Sequence, residues 1–311
     1  MAATACPRVG YFRFTFGSTM PNLSFGEKIA QIAWRLAPKR TLSRIIGWSA
    51  KRRLPRPIQD CILRSYAKTY QLNCSEAEHP IEHYPSLQAF FTRRLAPGAR
   101  DFPTEEGSVV APSDGTICDA GIAHAGKLLE AKGSAFTLNA LLADDELAGQ
   151  LLGGPYVVIY LSPRDYHRVH FPLGGKVIAW SHIPGKLFPV GNPSVKREPG
   201  LFARNERFVT VVDSPAGKYA VVMVAAVGVG HVTATYDTEV ATHDGGFSKG
   251  RRVRHRQFSP PIPIERGQEL GIFNLGSTTV TIFEPDRVKL NDLVSDAQIE
   301  MGTPLGRIIP V

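Results

Sequence analysis

Two hydrophobic periods divide the chain. From Ser24 to Arg53 apolar residues recur at helical spacing. Ile29, Ile32, Ala33 and Leu36 fall at i, i+3, i+4 and i+7, and after Pro38 the stripe resumes at Leu42, Ile45 and Ile46, with Trp48 near its end. Ser24-Phe-Gly-Glu27 has the form of a capping box at the start of this run. Pro55 and Pro57 close it, and IQDCILRSYAKTY (58–70) predicts a second helical stretch. SLQAFFTRRLAPGARDFP (86–103) then leads into the main body. Beyond about residue 105 the period shortens. TICDAGIA, YVVIYLS, KVIAWSHI, RFVTVVD, YAVVMVAAV and HVTATYDTEV are short β-type runs separated by glycine and proline. One helix is expected to interrupt them at 137–151, with Leu138, Leu141 and Leu142 on one face and Asp144, Asp145 and Glu146 in solvent. The pattern predicts an α+β chain: a mainly antiparallel β domain preceded by amphipathic helices.

Composition agrees with a packed core. Hydrophobic residues make up 43% of the 311 positions and charged residues 21%, and the 29 glycines and 24 prolines favour many turns. Cys6, Cys61, Cys74 and Cys118 lie far apart with no CxxC pair, so neither a zinc signature nor a disulfide framework is expected. Charge changes the picture more. Nine basic residues (Lys28, Arg35, Lys39, Arg40, Arg44, Lys51, Arg52, Arg53 and Arg56) occur with no acid between Glu27 and Asp60, against a net charge of +8 for the whole chain. A basic amphipathic segment carrying a tryptophan suits the surface of an anionic bilayer; a helix that packs its stripe on the body and solvates its charges is the plainer alternative. No apolar run reaches the length of a membrane span. The first twenty residues lack the apolar centre and cleavage site of a secretory signal, and are expected to be an unstructured extension upstream of a start at Met20.

Candidate chemistry gathers in three places. FNLGSTTVTIF (273–283) is a β-type run interrupted by Gly276-Ser277, which by itself reads as a bulge or a close backbone approach. VVAPSDGTI (109–117) holds Asp114-Gly115, a turn signal. YLSPRDYHRVHFP (160–172) packs Asp165, His167 and His170 behind an apolar strand. A metal would need both histidines and a third ligand such as Asp165 or His231, and without a recognised ligand spacing none is expected. Asp114, His170 and Ser277 together offer the parts of a serine hydrolase. Against that, Ser277 lies in no GxSxG elbow and inside a β-type run. A serine directly after glycine has a second target, the carbonyl of its own preceding residue, which Gly276 leaves unshielded.

LGST (275–278) resembles the self-cleavage motif of phosphatidylserine decarboxylase proenzymes. FFTRRLAPGARDFP (90–103), APSDGTI (111–117), YLSPRDYHRVHFP (160–172), LFARNERF (201–208) and GIFNLGSTTV (271–280) are similar to blocks of that family, in the family's order. The likeness covers roughly residues 25–311, and the first twenty residues stand outside it. It implies that Ser277 attacks the Gly276 carbonyl, and that cleavage between them yields a large chain, 1–276, and a small chain, 277–311. Ser277 would become a pyruvoyl group, a covalent cofactor serving as the electron sink of decarboxylation in place of pyridoxal phosphate. His170, oriented by Asp114, would be the base for self-cleavage, and His167 the histidine of decarboxylation.

The implied activity is decarboxylation of phosphatidylserine to phosphatidylethanolamine. The organisation expected is an extension (1–20), a basic helical membrane-associating region (21–85) and a β-rich catalytic domain (86–311). The expected partners are an anionic phospholipid surface, the substrate lipid, the two chains of one precursor and a second copy in a homodimer, with no nucleic acid, since the basic block has few interleaved aromatics. The expected location is peripheral, on the cytoplasmic face of a bacterial inner membrane. The rival readings are the serine hydrolase of Asp114, His170 and Ser277, which leaves the chain intact, and a basic binding module that needs no Ser277.

Overall fold

The computed structural model describes residues 47–124, 128–131, 134–188, 190, 200–226, 231–240, 242, 252–274 and 277–310. The extension at 1–20 and most of the first expected helical run lie outside these residues, as does Gly276.

Helix α1 (Arg56–Tyr70) starts with proline in its first turn, where the missing N–H costs nothing, and ends at Gln71 in the left-handed region. It buries Gln59, Leu63 and Ala67, an i, i+4, i+8 stripe. Helix α2 (Leu87–Phe91) is capped by Ser86, whose hydroxyl accepts from Ala89 N, and it buries Phe90 and Phe91. The helix expected at 137–151 is two: α3 (Leu138–Leu142) and α4 (Asp145–Leu151). Ala143 between them takes a φ of 52°, and Asp144 caps the second helix through Leu147 N. An aspartate two residues past the leucine face restarts the helix instead of continuing it. Helix α5 (Leu201–Arg204) follows later in the chain.

The strands are β1 (Ser108–Val110), β2 (Gly115–Ile122), β3 (Leu128–Ala131), β4 (Ser134–Phe136), β5 (Pro155–Leu161), β6 (Arg168–His170), β7 (Gly175–Ile183) and β8 (Arg207–Ser214). They continue with β9 (Gly217–Ala225), β10 (Val232–Ala234), β11 (Arg254–Ile264), β12 (Glu269–Phe273), β13 (Ser277–Phe283), β14 (Val288–Leu290), β15 (Gln298–Ile299) and β16 (Pro304–Ile308). The main sheet has the order β11-β7-β8-β9-β13-β5-β2-β15, and every pairing in it is antiparallel. Small sheets follow the orders β10-β12-β6, β1-β16-β14 and β3-β4. The expected fold class, mainly antiparallel α+β, is the one observed. Strand β11 escapes the hydrophobic pattern because RHRQFSPPIPI is an exposed edge whose prolines need no ladder partner.

Both faces of the main sheet are covered, which is why its central strands read as nearly continuous apolar runs. One face packs Val158, Val222, Val224, Val280 and Ile282 under α3, α4 and α5, through Leu138, Leu141, Leu147, Leu151, Leu201 and Phe202. The other packs Leu161, Tyr219, Val221, Met223 and Phe283 against Val169, Phe171, Leu270, Phe273 and Val232 of the β10-β12-β6 sheet.

Strand β13 lies at the centre, between β9 and β5. Its neighbours β9 and β5 run on in sequence to β10 and β6, and it is itself preceded by β12. The order β9-β13-β5 in one sheet is therefore repeated as β10-β12-β6 in the next. Three adjacent strands are interrupted at one level and resume in a second sheet. On the main-sheet side the last pairs are Ser277 with Leu161 and with Ala225; on the far side they include Ile272 with Arg168 and Phe273 with Val232. FNLGSTTVTIF is thus not one bulged strand. It holds the end of β12 at Phe273 and the start of β13 at Ser277, and the two strands lie in different sheets.

Candidate active site at the strand break

Between Phe273 and Ser277 the chain changes sheet, and the segment joining β5 to β6 makes the same change. Strand β5 ends at Leu161, opposite Ser277, and His167 lies one residue before β6 with its carbonyl accepting from Phe273 N at 3.0 Å. Segment 162–167 therefore crosses between the sheets, from the residue after the partner of Ser277 to the residue bonded to Phe273. A tight turn makes that crossing: Asp165 N bonds Ser162 O at 2.9 Å, and the Asp165 carboxylate accepts from Ser162 N at 2.6 Å and from its hydroxyl at 2.7 Å. Burial raises the proton affinity of Asp165, and these bonds and Arg164 oppose it.

The turn delivers His167 into a fully buried position. Its Nδ1 bonds the Asp165 carbonyl at 2.8 Å, so it carries the proton and Nε2 carries the lone pair. The ring lies 3.9 Å, centre to centre, from that of Phe91 in α2. Nε2 is buried without a hydrogen-bond partner among the described residues. Burial pulls the His167 pKa down to about 3; the Asp165 carbonyl opposes the shift and the Arg93 charge adds to it.

His170, three residues on, ends β6 opposite Glu269. Its Nδ1 bonds the Gly267 carbonyl at 2.8 Å and its Nε2 bonds the Tyr166 hydroxyl at 3.1 Å. Burial lowers its proton affinity, against the Gly267 carbonyl and Glu269.

The APSDG loop reaches the same level from the other side of β6. His170 N bonds Pro112 O at 2.7 Å, and the buried Ser113 hydroxyl lies 3.3 Å from that of Thr279, two residues past Ser277. Gly115 has a φ of +151°, and a Cβ there would stand 2.3 Å from the Tyr160 carbonyl oxygen. The Asp-Gly pair is therefore more than a turn: glycine lets β2 close on β5 while Asp114 is held at the mouth of the strand.

The Asp114 carboxylate accepts from Arg100 Nε at 3.2 Å, from Arg100 Nη2 at 2.5 Å and from Met301 N at 2.8 Å. Arg100 also bonds Glu76 at 3.0 Å. Burial works against the Arg100 charge, but the Asp114 and Glu76 carboxylates outweigh it and hold its proton more tightly than usual. The backbone link between the APSDG loop and His170 runs through Pro112, two residues before Asp114. The bonds of the His170 ring go to Gly267 and Tyr166, and those of the Asp114 carboxylate to Arg100 and Met301.

The third flank is held by LFARNERF. The Asn205 amide donates to Phe188 O at 2.9 Å and to Ala225 O at 2.8 Å, and Ala225 N donates to Glu206 O at 2.8 Å. Ala225 is the β9 partner of Ser277. Arg207 is buried and donates to the carbonyls of Ala140, Leu141, Ala203 and Asn205. This block acts on the backbone around the break.

The sequence motifs thus meet at one level, although they are far apart in the chain. Arg100, Tyr166 and Gly267 were not among the residues singled out from the sequence; Arg100 lay inside the FFTRRLAPGARDFP block, an arginine in a proline- and glycine-rich loop. No group of three or more metal-ligating side chains occurs among the described residues, and no described helix is long and apolar enough to cross a membrane.

The sequence model of the phosphatidylserine decarboxylase family matches residues 87–307. The chain is 43% identical over 275 residues to the phosphatidylserine decarboxylase proenzyme of Myxococcus xanthus, covering 88% of this chain and 96% of that one. It is 39% identical over 289 residues to the proenzyme of the same name from Bordetella avium, covering 91% and 96%. Against that of Pseudomonas aeruginosa it is 38% identical over 283 residues, covering 90% and 97%.

Proposed function

The chain belongs to the phosphatidylserine decarboxylase family, and we propose on that premise that it matures by cutting itself at Gly276-Ser277 and then decarboxylates phosphatidylserine to phosphatidylethanolamine. The observation that carries this reading is the aligned break of three central strands, with Ser277 as the first paired residue of the middle one.

In self-cleavage His170 takes the Ser277 hydroxyl proton while the oxygen adds to the Gly276 carbonyl carbon. The peptide C–N bond breaks, the nitrogen takes up a proton, and the link becomes an ester. Loss of the Cα proton of residue 277 then expels Gly276 as a carboxylate and leaves dehydroalanine. Water replaces the nitrogen, ammonia leaves, and residue 277 ends as a pyruvoyl group. The products are the large chain 1–276 and the small chain 277–311. Asp114 would act here through the loop whose Pro112 bonds the His170 backbone, with its carboxylate held by Arg100 and by Met301 of the small chain.

The surroundings fit a group of this kind. It would stand at the start of β13, anchored by ladders on both sides, next to a histidine whose Nε2 is buried and unpartnered among the described residues. There it would supply the electron sink of decarboxylation. His167 would handle the proton at the reacting carbon. Burial favours its neutral form, and an anionic head group arriving beside it would raise its proton affinity. Burial of His167 excludes water from its ring.

The membrane side of the reading rests on the segment that leads into and along α1. Trp48, Leu54, Ile58 and Ile62 are exposed among Lys51, Arg52, Arg53 and Arg56, and the Arg52 guanidinium lies 4.0 Å from the centre of the Trp48 ring. Apolar side chains ringed by cations suit peripheral attachment to an anionic leaflet, which for a bacterial chain of this kind would be the cytoplasmic face of the inner membrane.

The test is intact mass spectrometry of the purified protein beside Ser277→Ala. Two chains split after residue 276, the small one lighter by one ammonia than a serine-started fragment, with the variant whole, is the expected result. A whole wild-type chain that takes a fluorophosphonate label at Ser277 would replace this reading with a serine hydrolase.

A further inference from the structure

The scissile step lies between two posts. On one side Ser277 is paired to both Leu161 and Ala225. On the other is Asn274, and its side chain is committed at both ends. Its Nδ2 donates to His231 O at 3.0 Å, as does its backbone N at 3.0 Å, so two donors of one residue grip one carbonyl. Its Oδ1 accepts from Gln88 Nε2 at 2.8 Å.

Gln88 is itself held in place. It lies in α2, where Phe91 packs on His167, and the following Thr92 gives its carbonyl to Arg168 Nε at 3.0 Å. Arg168 is paired in turn with Glu269 of β12 at 2.8 Å. The helix is therefore fastened to β6 and β12, and Gln88 reaches from it to the residue next to the crossing.

Two residues, Leu275 and Gly276, join the posts. A link that short spans at most about 3.6 Å per residue, so the position of Asn274 limits where the Gly276 carbonyl can be. Intramolecular attack depends steeply on such placement. We propose that Gln88 and Asn274 form a clasp that positions the Gly276 carbonyl for attack by Ser277. They are positioning residues for maturation, acting through the backbone. The inference rests on the self-cleavage reading. It also gives α2 a part in maturation distinct from any lipid contact.

The experiment follows conversion of newly made full-length precursor into two chains, by mass spectrometry after cell-free synthesis. Gln88→Leu, Asn274→Leu and the double variant are compared with wild type. Each substitution is also placed in the Ser277→Ala background, where its melting temperature reports structure alone. The leucine pair restores apolar contact without the hydrogen bond, so a packing role predicts recovery in the double variant. The clasp predicts conversion slowed roughly tenfold or more in each single variant. It further predicts a double variant no faster than the slower single, with little loss of melting temperature, and partial recovery of rate in Gln88→Asn. Wild-type rates in both single variants would overturn the inference. So would slowing that follows the loss of melting temperature, or recovery in the leucine pair. A wild-type precursor that never converts would instead overturn the self-cleavage reading, and this inference with it.

Discussion

Arg100 holds Asp114 through two nitrogens, at 3.2 Å and 2.5 Å, in a place where both side chains are almost closed to solvent. The pair joins three parts of the protein, because Arg100 also bonds Glu76 ahead of α2 and Asp114 also accepts from Met301 near the C-terminus. Removing one partner of a buried pair leaves the other charge uncompensated, at a cost of about 3 kcal/mol or more. Arg100→Ala in the Ser277→Ala background is expected to lose about that much in urea unfolding. Arg100→Lys should recover only part of it, because a lysine cannot supply the two-nitrogen grip. Equal stability of Arg100→Ala and its parent would show that the pair contributes nothing net.

His167 makes stability depend on pH. Its pKa falls from the ordinary histidine value of 6.5 to about 3 on folding. Between those values the unfolded chain binds a proton that the folded chain refuses, so unfolding free energy rises with pH across that window. The contribution is complete above pH 6.5 and is lost as the pH falls toward 3. His170 is shifted in the same direction by its own burial. In the Ser277→Ala background, His167→Gln should flatten the dependence of stability on pH between about 4 and 6 by about 1.4 kcal/mol per unit, the value of one proton. An unchanged slope would mean that His167 is protonated in the fold.

The two histidines should separate by function. His170→Ala is expected to remain a full-length chain. His167→Ala is expected to cleave at Gly276-Ser277 and then to turn over little phosphatidylserine. A denaturing gel and a carbon dioxide release assay on the same preparations distinguish the two. An uncleaved His167→Ala would remove the division of roles.

Gly115→Ala tests the fit of the APSDG loop. A methyl group there would meet the Tyr160 carbonyl at 2.3 Å from a backbone angle that alanine rarely adopts. The β2–β5 register beside Asp114 should give way, with a destabilisation of roughly 2 kcal/mol or more and markedly slower conversion of the precursor. Melting temperature and conversion both at wild-type values would mean that the loop shifts without consequence for the site.

Ile58 and Ile62 are 52% and 38% exposed on a helix that already buries its Leu63 stripe. Replacing both by serine should leave the melting temperature unchanged and weaken binding to vesicles containing phosphatidylserine by roughly thirtyfold, at about 1 kcal/mol per side chain. Deleting residues 1–54 should weaken it further and leave self-cleavage intact. Sedimentation with vesicles at two salt concentrations measures both. Unchanged binding would place the contact elsewhere.

The sequence alone determined what depends on local chemistry. Short apolar runs rich in β-branched residues, set between glycines and prolines, marked what became β2, β5, β7, β8 and β9, because strands covered on both faces bury nearly every side chain. Pro55 and Pro57 closed the run before it, and IQDCILRSYAKTY (58–70) marked most of α1. The motif residues around 114, 167, 170 and 277 were legible as types suited to nucleophile, base and acid. Tertiary structure decided what depends on residues meeting from afar. Nothing within FNLGSTTVTIF says that the chain leaves one sheet and enters another between Phe273 and Ser277; that follows from how β5 and β9 lie beside it. The burial that pulls the His167 pKa down comes from the fold around it, including Phe91 of a helix 76 positions away. The partners of Asp114 and His170 were likewise set by packing: Arg100, Met301, Tyr166 and Gly267 are each ordinary in sequence, and acquire their place only when the sheets close around the break.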